Sequence, residues 1–205
     1  MPLVYQQNIN EATKMGVWHI TEPEAFFLQQ VPLQKEITHP HKRLQHLAGR
    51  YLLKELYPDF PLELIKIADT RKPFLEDEAY HFSISHCGEY AAVMVSRTYR
   101  VGVDVEKITS KVQAIIHKFL TESEQLLLQN GGADNTATLL WSVKESVYKW
   151  KGNEGVDFKK HINIGSITAG EGQGMVHCMF NHKIPLQVHY LFFNGNALTW
   201  VFTLR

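Results

Sequence analysis

Two short segments of this chain combine residue types and spacings that could hold a cation or move a proton. The first is residues 101–106, VGVDVE, in which three valines alternate with a glycine and two carboxylates. Side chains two apart in a strand share a face, so Asp104 and Glu106 project together. Neighbouring carboxylates repel, and hard oxygen ligands of this kind suit Mg²⁺ together with substrate phosphates. The alternative is an edge strand whose polar face is simply solvated.

The second segment is residues 141–150, WSVKESVYKW, which has the periodicity of a helix. One stripe is apolar, and another face is expected to carry a carboxylate, two amines and two aromatic rings: Trp141, Lys144, Glu145, Tyr148 and Lys149. Glu145 could serve as a metal ligand or a base, and Lys149 could hold a phosphate oxygen or donate a proton. The alternative is that Glu145 and Lys149 form an ordinary surface pair one turn apart.

The surrounding pattern predicts an α+β fold in two similar halves, residues 1–98 and 99–205. Each half is expected to be a long helix packed on a small antiparallel sheet. Helices are predicted at about 41–57, 111–120, 122–129 and 136–151, with Gly152 as a C-terminal cap. Strands are predicted at 65–68, 80–85, 90–96, 100–106, 162–168, 174–180, 186–193 and 197–204.

Composition restricts the function classes further. The chain has 205 residues, and its 21 Lys and Arg balance its 21 Asp and Glu. No global field therefore attracts nucleic acid or a membrane surface, and neither is expected as a partner. The two cysteines are too few for a disulfide framework, and the N-terminus lacks the pattern of a signal peptide, so we expect a cytoplasmic protein.

Several motifs in order resemble one enzyme family. GVDVE at 102–106 and WSVKE at 141–145 resemble the two signature motifs of the Sfp-type 4′-phosphopantetheinyl transferases, in the holo-acyl-carrier-protein synthase superfamily. Four further segments are similar to family motifs in the same order: HLAGR at 46–50, RKPFL at 71–75, FSISH at 82–86 and FLTESE at 119–124. The resemblance covers roughly residues 40 to 150. It departs from the family pattern at Ser83 and Cys87, where an asparagine and a serine are usual.

The resemblance implies transfer of the 4′-phosphopantetheine group from coenzyme A, the co-substrate, to a serine of an apo carrier protein, with release of 3′,5′-ADP. It implies that Asp104, Glu106 and Glu145 hold Mg²⁺. It also implies that Glu145 acts as the catalytic base for the serine hydroxyl, and that the catalytic Lys149 stabilises the leaving group.

The same resemblance implies a set of coenzyme A contacts, some of them to its phosphates: Arg43, Arg50, Lys72, Ser85, His86, Asp104 and Lys149. The register of the two arginines against the 3′-phosphate stays open. Arg43 and Arg50 could instead be solvated, and His86 could satisfy backbone groups of a turn.

The implied partner is an acyl or peptidyl carrier protein, and the enzyme is expected to act as a monomer. Acidic carriers would dock on a local basic and apolar patch, for which the candidates are Lys111, Ile115, Ile116, Lys118 and Phe119. Their helical spacing is equally compatible with core packing on one face. Two other functions stay open, a magnesium-dependent phosphodiesterase or nuclease and a non-catalytic carrier-binding module.

Overall fold

A computed structural model describes residues 2–33, 36–69, 72–130, 133–152 and 155–204. The chain divides into two compact units, an N-terminal unit of Met1–Val101 with Leu204–Arg205 and a C-terminal unit of Gly102–Thr203. Among the described helices, none combines the length and the apolar composition that crossing a bilayer needs. Arg71, which begins the RKPFL segment, lies outside the described residues.

The N-terminal unit is a four-stranded antiparallel sheet with one long helix on it. In chain order its elements are β1 (Leu3–Asn10), β2 (Thr13–His19), α1 (Glu24–Leu28), α2 (Pro40–Leu56), β3 (Lys66–Ile67), β4 (Pro73–Phe74), β5 (His81–Cys87) and β6 (Tyr90–Ser96). The sheet order is β1-β2-β6-β5, and β3 and β4 form a separate two-stranded ladder. A 3₁₀ turn over Leu62–Leu64 precedes β3.

Helix α2 begins and ends where local chemistry dictates. Pro40 occupies the first helical turn, and His39 caps it by accepting a hydrogen bond from the backbone N–H of Lys42 at 3.4 Å. The helix ends before Pro58. Its buried face, which includes Leu47 and Leu52, packs on β2, β5 and β6 and forms the core of this unit.

The C-terminal unit repeats the plan with a five-stranded sheet. Its elements are β7 (Arg100–Lys107), α3 (Ile116–Phe119), α4 (Glu122–Gln125), α5 (Ala133–Lys151), α6 (Phe158–His161), β8 (Ile162–Ala169), β9 (Gln173–Phe180), β10 (Ile184–Phe193) and β11 (Asn196–Thr203). Turns of 3₁₀ helix cover Gln113–Ile115 and Leu126–Asn130. The sheet order is β7-β11-β10-β9-β8, which places the acidic strand β7 at its edge, next to the last strand of the chain.

Helix α5 covers this sheet. Its apolar stripe of Val143, Val147 and Trp150 is buried against residues of β8 to β11. Gly152 follows in a left-handed conformation with φ of 70°, and its N–H bonds to the carbonyl of Tyr148, which confirms the predicted C-terminal cap.

The prediction of an α+β fold with antiparallel sheets is confirmed, and both long helices lie within three residues of their predicted bounds. The predicted helices over 111–120 and 122–129 are only partly α-helical, because each joins a single α-helical turn to 3₁₀ structure. The hairpin of β1 and β2 was not predicted. Most side chains of β2 are buried irrespective of which face they occupy, so its sequence lacks the apolar and polar alternation that marks a half-exposed strand.

Candidate active site

Strand β7 presents its two carboxylates to helix α5. Gly102 lies on the same face, and a Cβ there would come within 2.7 Å of the backbone nitrogen of Trp150 and overlap the carbonyl oxygen of Ser146. Only a glycine allows the helix this close to the strand. Asp104 is 2 % exposed, so the interpretation of this face as simply solvated is wrong for that carboxylate.

Asp104 is bonded by two side chains of α5. The hydroxyl of Ser142 donates to Oδ2 at 2.7 Å, and the ammonium of Lys149 donates to Oδ1 at 2.6 Å. Residues 142, 145 and 149 lie three and four apart, so they share one helix face. The strand and the helix therefore meet along one row of polar side chains, and Lys149 is not an exposed surface residue paired only along its own helix.

Glu106 is held by a different part of the helix. The indole N–H of Trp141 donates to its Oε1 at 3.3 Å. The Trp141 ring packs edge-on against the ring of Phe119, with 5.1 Å between ring centroids, and lies tilted against the ring of Phe158, with 5.6 Å between centroids. This aromatic packing holds the indole N–H in place. Glu106 is only half-buried, unlike Asp104.

Glu145 lies in the field of both β7 carboxylates. Burial, followed by the charge of Asp104 and, more weakly, of Glu106, raises the pKa of its carboxyl to about 7, while Lys149 acts in the opposite direction. Three carboxylates thus share the neighbourhood of one ammonium. When all three are ionised the local charge is negative, although the whole chain is neutral.

This donor set matches a hard divalent cation in its chemistry, because carboxylate oxygens are the ligands that Mg²⁺ takes from proteins. Its excess of negative charge also fits a cation. In the described parts of the chain, however, no three His, Cys, Asp or Glu side chains are arranged so that they could ligate one ion together. That Asp104, Glu106 and Glu145 hold one ion stays a prediction.

Lys144 does not lie on the face where the helical pattern placed it. It is fully buried, and its ammonium lies 2.8 Å from the carboxylate of Glu124 and 2.9 Å from the carbonyl oxygen of Phe158. Glu124 also closes the capping box of α4 with Thr121 and accepts from the N–H of Ile164 at 2.8 Å. Lys144 therefore joins α5 to α4, α6 and β8, and the predicted face carries one amine, Lys149, rather than two.

The two candidate arginines of α2 have opposite environments. Arg43 is engaged by the protein: its Nε donates to Glu24 and one terminal nitrogen to the carbonyl of Ile37, both at 2.9 Å. Arg50 is 8 % exposed, and its pKa is lowered to about 10 because burial disfavours its charge. One of its terminal nitrogens lies 3.1 Å from Nδ1 of His46, and its buried Nε has no hydrogen-bond partner. Arg50 is thus better suited than Arg43 to receive an anion.

Ser85 and His86 lie on β5, beside helix α2. Gly49 approaches Ile84 so closely that a Cβ would lie 2.8 Å from its methyl group, and Gln45 donates to the carbonyl of Gly88 at 2.9 Å. Residues 45–49 of the helix therefore run along strand residues 84–88. Ser85 is buried and His86 is exposed.

Lys72 lies near Arg100, the first residue of β7, and both residues belong to the N-terminal unit. Burial and the charge of Arg100 lower the pKa of its ammonium to about 8. Two cations held near each other, one of them desolvated, form a region that favours an anion.

The predicted docking patch is only partly available at the surface. Lys111 and Lys118 are exposed, and Ile115 and Ile116 are half-buried against the core. Phe119 is 2 % exposed and packs on Trp141, so the prediction that it contacts a partner is wrong.

Two residues of this site were not predicted from the sequence. Ser142 shares the helix face of Glu145 and Lys149, a spacing that could have identified it. Thr199, whose hydroxyl lies 3.0 Å from that of Ser142, comes from β11, fifty-seven residues along the chain, and no local pattern indicates it.

The comparison with known families concerns the C-terminal unit. Residues 100–201 match the model of the family described as the 4′-phosphopantetheinyl transferase superfamily. That range contains both acidic residues of β7 and the whole of α5, together with Thr199. The predicted cofactor contacts of α2, β5 and Lys72 lie outside it.

Similar curated proteins agree with this match. Enterobactin synthase component D of Salmonella austin is 34 % identical over 111 residues, which cover 53 % of this chain and 47 % of that protein. The protein of the same name from Escherichia coli O157:H7 is 37 % identical over 117 residues, covering 53 % and 54 %. The 4′-phosphopantetheinyl transferase gsp of Aneurinibacillus migulanus is 32 % identical over 108 residues, covering 50 % and 44 %. The chain spans about half the length of the curated relatives it matches.

Proposed function

Because this chain belongs to the 4′-phosphopantetheinyl transferase superfamily, we propose that it transfers the 4′-phosphopantetheine group of coenzyme A to a serine of an apo carrier protein and releases 3′,5′-ADP. The name of the similar protein gsp states this transferase activity. Monomeric action, a cytoplasmic location and a carrier of acyl or peptidyl type are parts of the same proposal.

The observation that carries the proposal is the contact of Lys149 with Asp104. It joins two segments that lie forty-five residues apart in the sequence. Glu145, one helical turn before Lys149, lies close enough to Asp104 for the charge of that carboxylate to raise its pKa. The residues proposed as the base, the phosphate contact and the metal ligands therefore lie on two facing elements, all within the range that matches the family.

The reaction assigns a separate task to each of these groups. The serine oxygen of the carrier attacks the phosphorus that bears the pantetheine arm, and the bond from that phosphorus to the oxygen of 3′,5′-ADP breaks. Glu145 accepts the serine proton, and Lys149 contacts the phosphate of the leaving ADP. When bound by Asp104, Glu106 and Glu145, Mg²⁺ would neutralise the charge that grows on the pyrophosphate.

In the N-terminal unit we propose that Arg50, Lys72, Ser85 and His86 contact coenzyme A. Two observations support this. A bound phosphate would accept a hydrogen bond from the buried Nε of Arg50, and it would stabilise the charge of Lys72, whose pKa is lowered. Arg43 is the weaker candidate, since a phosphate would have to compete with Glu24 for its guanidinium.

The test is to incubate the purified chain with Mg²⁺, coenzyme A and several apo carrier proteins, and to weigh the carriers by mass spectrometry. We expect a gain equal to one phosphopantetheine group. Glu145→Gln should lower the rate by about 10²- to 10⁴-fold, the range typical for loss of a general base, and Asp104→Asn should lower it strongly as well.

Glu171→Gln provides the matched control. It makes the same chemical change at an exposed carboxylate of the β8–β9 turn in the same unit, and it should leave the rate unchanged. Full activity in both Asp104→Asn and Glu145→Gln would refute the assignment of the site. Cleavage of nucleic acid, or binding of carriers without any product, would favour the alternative functions instead.

A further inference from the structure

The hydroxyl of Ser142 lies between Asp104 and Thr199, in a fully buried position. It is 2.7 Å from Oδ2 of Asp104 and 3.0 Å from the hydroxyl of Thr199. The Thr199 hydroxyl is also 2.9 Å from the carbonyl oxygen of Ser142. Ser142 and Thr199 are both 0 % exposed, so neither hydroxyl can exchange its partner for bulk water.

The direction of these hydrogen bonds follows from counting protons. A hydroxyl has one proton, and that of Ser142 is donated to Oδ2 of Asp104. The Thr199 hydroxyl donates to Ser142, whose carbonyl oxygen lies at 2.9 Å and whose hydroxyl oxygen lies at 3.0 Å. The result is a directed chain from Thr199 through Ser142 to Asp104.

We propose that Ser142, supported by Thr199, is a positioning residue that fixes the Asp104 carboxylate for binding of the divalent cation. Rotation about the last side-chain bond of an aspartate is soft, so its two oxygens can exchange places unless something holds one of them. Ser142 holds Oδ2 from the buried side and Lys149 holds Oδ1, so the two donors together fix the orientation of the carboxylate. This inference rests on the proposed function, because it concerns the same site.

A partner that orients a ligand carboxylate affects metal affinity although it never touches the metal. Loss of such partners typically costs about 10- to 100-fold in metal affinity or activity. Ser142→Ala should therefore weaken binding of the cation, with the largest effect on the concentration of metal required.

The chain offers a matched control one turn further along the same helix. Ser146 is also 0 % exposed, but its hydroxyl donates to the carbonyl of Val143 at 2.9 Å and so serves its own helix. Ser146→Ala removes the same atom from an equally buried position without touching the chain that leads to Asp104.

The experiment measures binding of Mn²⁺ to the full chain, with and without coenzyme A, by electron paramagnetic resonance of the free ion. We expect Ser142→Ala to raise the Mn²⁺ dissociation constant about tenfold or more, and Thr199→Val to raise it by a smaller factor. Ser146→Ala should leave it unchanged. In the transfer assay, Ser142→Ala should raise the half-saturating Mg²⁺ concentration, while kcat recovers substantially at high Mg²⁺.

Thr199→Val keeps the inference falsifiable if Ser142→Ala folds poorly, because valine has almost the shape of threonine. The inference is overturned if Ser142→Ala, or failing that Thr199→Val, binds Mn²⁺ as tightly as the unmodified chain, or if Ser146→Ala weakens binding equally. A chain that binds no Mn²⁺ at all also overturns it. Binding that depends on Ser142 without any transfer would instead contradict the proposed function and leave the positioning role standing.

Discussion

Replacing Lys144 by methionine tests how the C-terminal unit holds helix α5, which carries Glu145 and Lys149. Methionine has nearly the length of lysine but no charge, so the variant keeps the packing and removes the ion pair with Glu124. The carboxylate of Glu124 would then stay buried, at 2 % exposure, without its cation. The carbonyl of Phe158 would lose a donor as well.

The loss of stability in this variant depends on the hydrogen bonds that Glu124 retains. Removing one partner of a buried ion pair costs about 3–5 kcal/mol, because the other charge is left uncompensated. Glu124 still accepts from the backbone N–H of Thr121 at 2.7 Å, from the Thr121 hydroxyl at 3.1 Å and from the N–H of Ile164 at 2.8 Å. These three donors reduce the penalty, so we expect a loss near the lower end, about 3 kcal/mol.

The assay is urea unfolding followed by far-ultraviolet circular dichroism, which reports on both units because each carries one long helix, α2 in the N-terminal unit and α5 in the C-terminal unit. Lys66→Met is the control. Its ion pair with Glu76 is shorter, at 2.6 Å, but both side chains are more than half exposed, so its loss should cost less than about 1 kcal/mol. Burial, not distance, decides the difference.

The second arm is the double variant Lys144→Met with Glu124→Gln. Removing both charges relieves the uncompensated one, so the double variant should lose less stability than the sum of the two single variants, by about 2 kcal/mol. Additive losses, or a Lys144→Met variant as stable as Lys66→Met, would refute the view that this pair joins α5 to its neighbours.

Two further predictions concern the face that β7 shares with α5. The pKa of Glu145 is raised from 4.5 to about 7, so the folded chain binds this proton more tightly than the unfolded chain, and stability falls as the pH rises from about 4.5 to 7. A pKa shift is worth about 1.4 kcal/mol per unit, and partial exposure of the carboxyl reduces that figure. Glu145→Gln should therefore stabilise the metal-free chain by about 2–3 kcal/mol at pH 8 and by almost nothing at pH 4, as measured by thermal unfolding. An equal gain at both pH values would contradict this prediction. Gly102→Ala should lower the free energy of unfolding by about 3 kcal/mol, measured in urea, because the new Cβ meets the backbone of the helix. The control Gly165→Ala should be almost neutral, because a Cβ there would lie 3.6 Å from its nearest neighbour. Equal losses in the two variants would contradict the steric explanation.

The sequence predicted those parts of the site that depend on periodicity within one element. The two-residue repeat of a strand puts Asp104 and Glu106 on one face, and the spacing of a helix puts Glu145 and Lys149 on another. That these two faces meet is a tertiary contact, which neither repeat contains. It was expected only because the paired motifs resemble a known family.

Lys144 shows where periodicity fails. It is adjacent to Glu145 in sequence, and the pattern assigned both to one polar face, yet Lys144 is fully buried and Glu145 is not. The difference comes from Glu124, twenty residues earlier, whose carboxylate offers a buried ammonium a partner. A polar residue with a distant partner has the same local sequence signal as a solvated one.

The arginines of α2 show the same limit. Arg43 and Arg50 lie seven residues apart on one helix, which places them on nearly the same side, and both were predicted to bind phosphate. Glu24 engages the first, whereas the second is buried with an unsatisfied nitrogen. The distinction depends on helix α1, which the sequence pattern did not predict.

Helix α5 carries opposite contributions to stability at adjacent positions. At Lys144 a buried ion pair ties the helix to three other elements, while at Glu145 a carboxylate is held near two others against its own electrostatic preference. Below about pH 7 a proton relieves this repulsion at Glu145, and a bound divalent cation would relieve it at higher pH. The ion pair of Lys144 anchors the helix backbone directly beside Glu145. The stability of the Lys144 junction is therefore a condition for the chemistry proposed at Glu145.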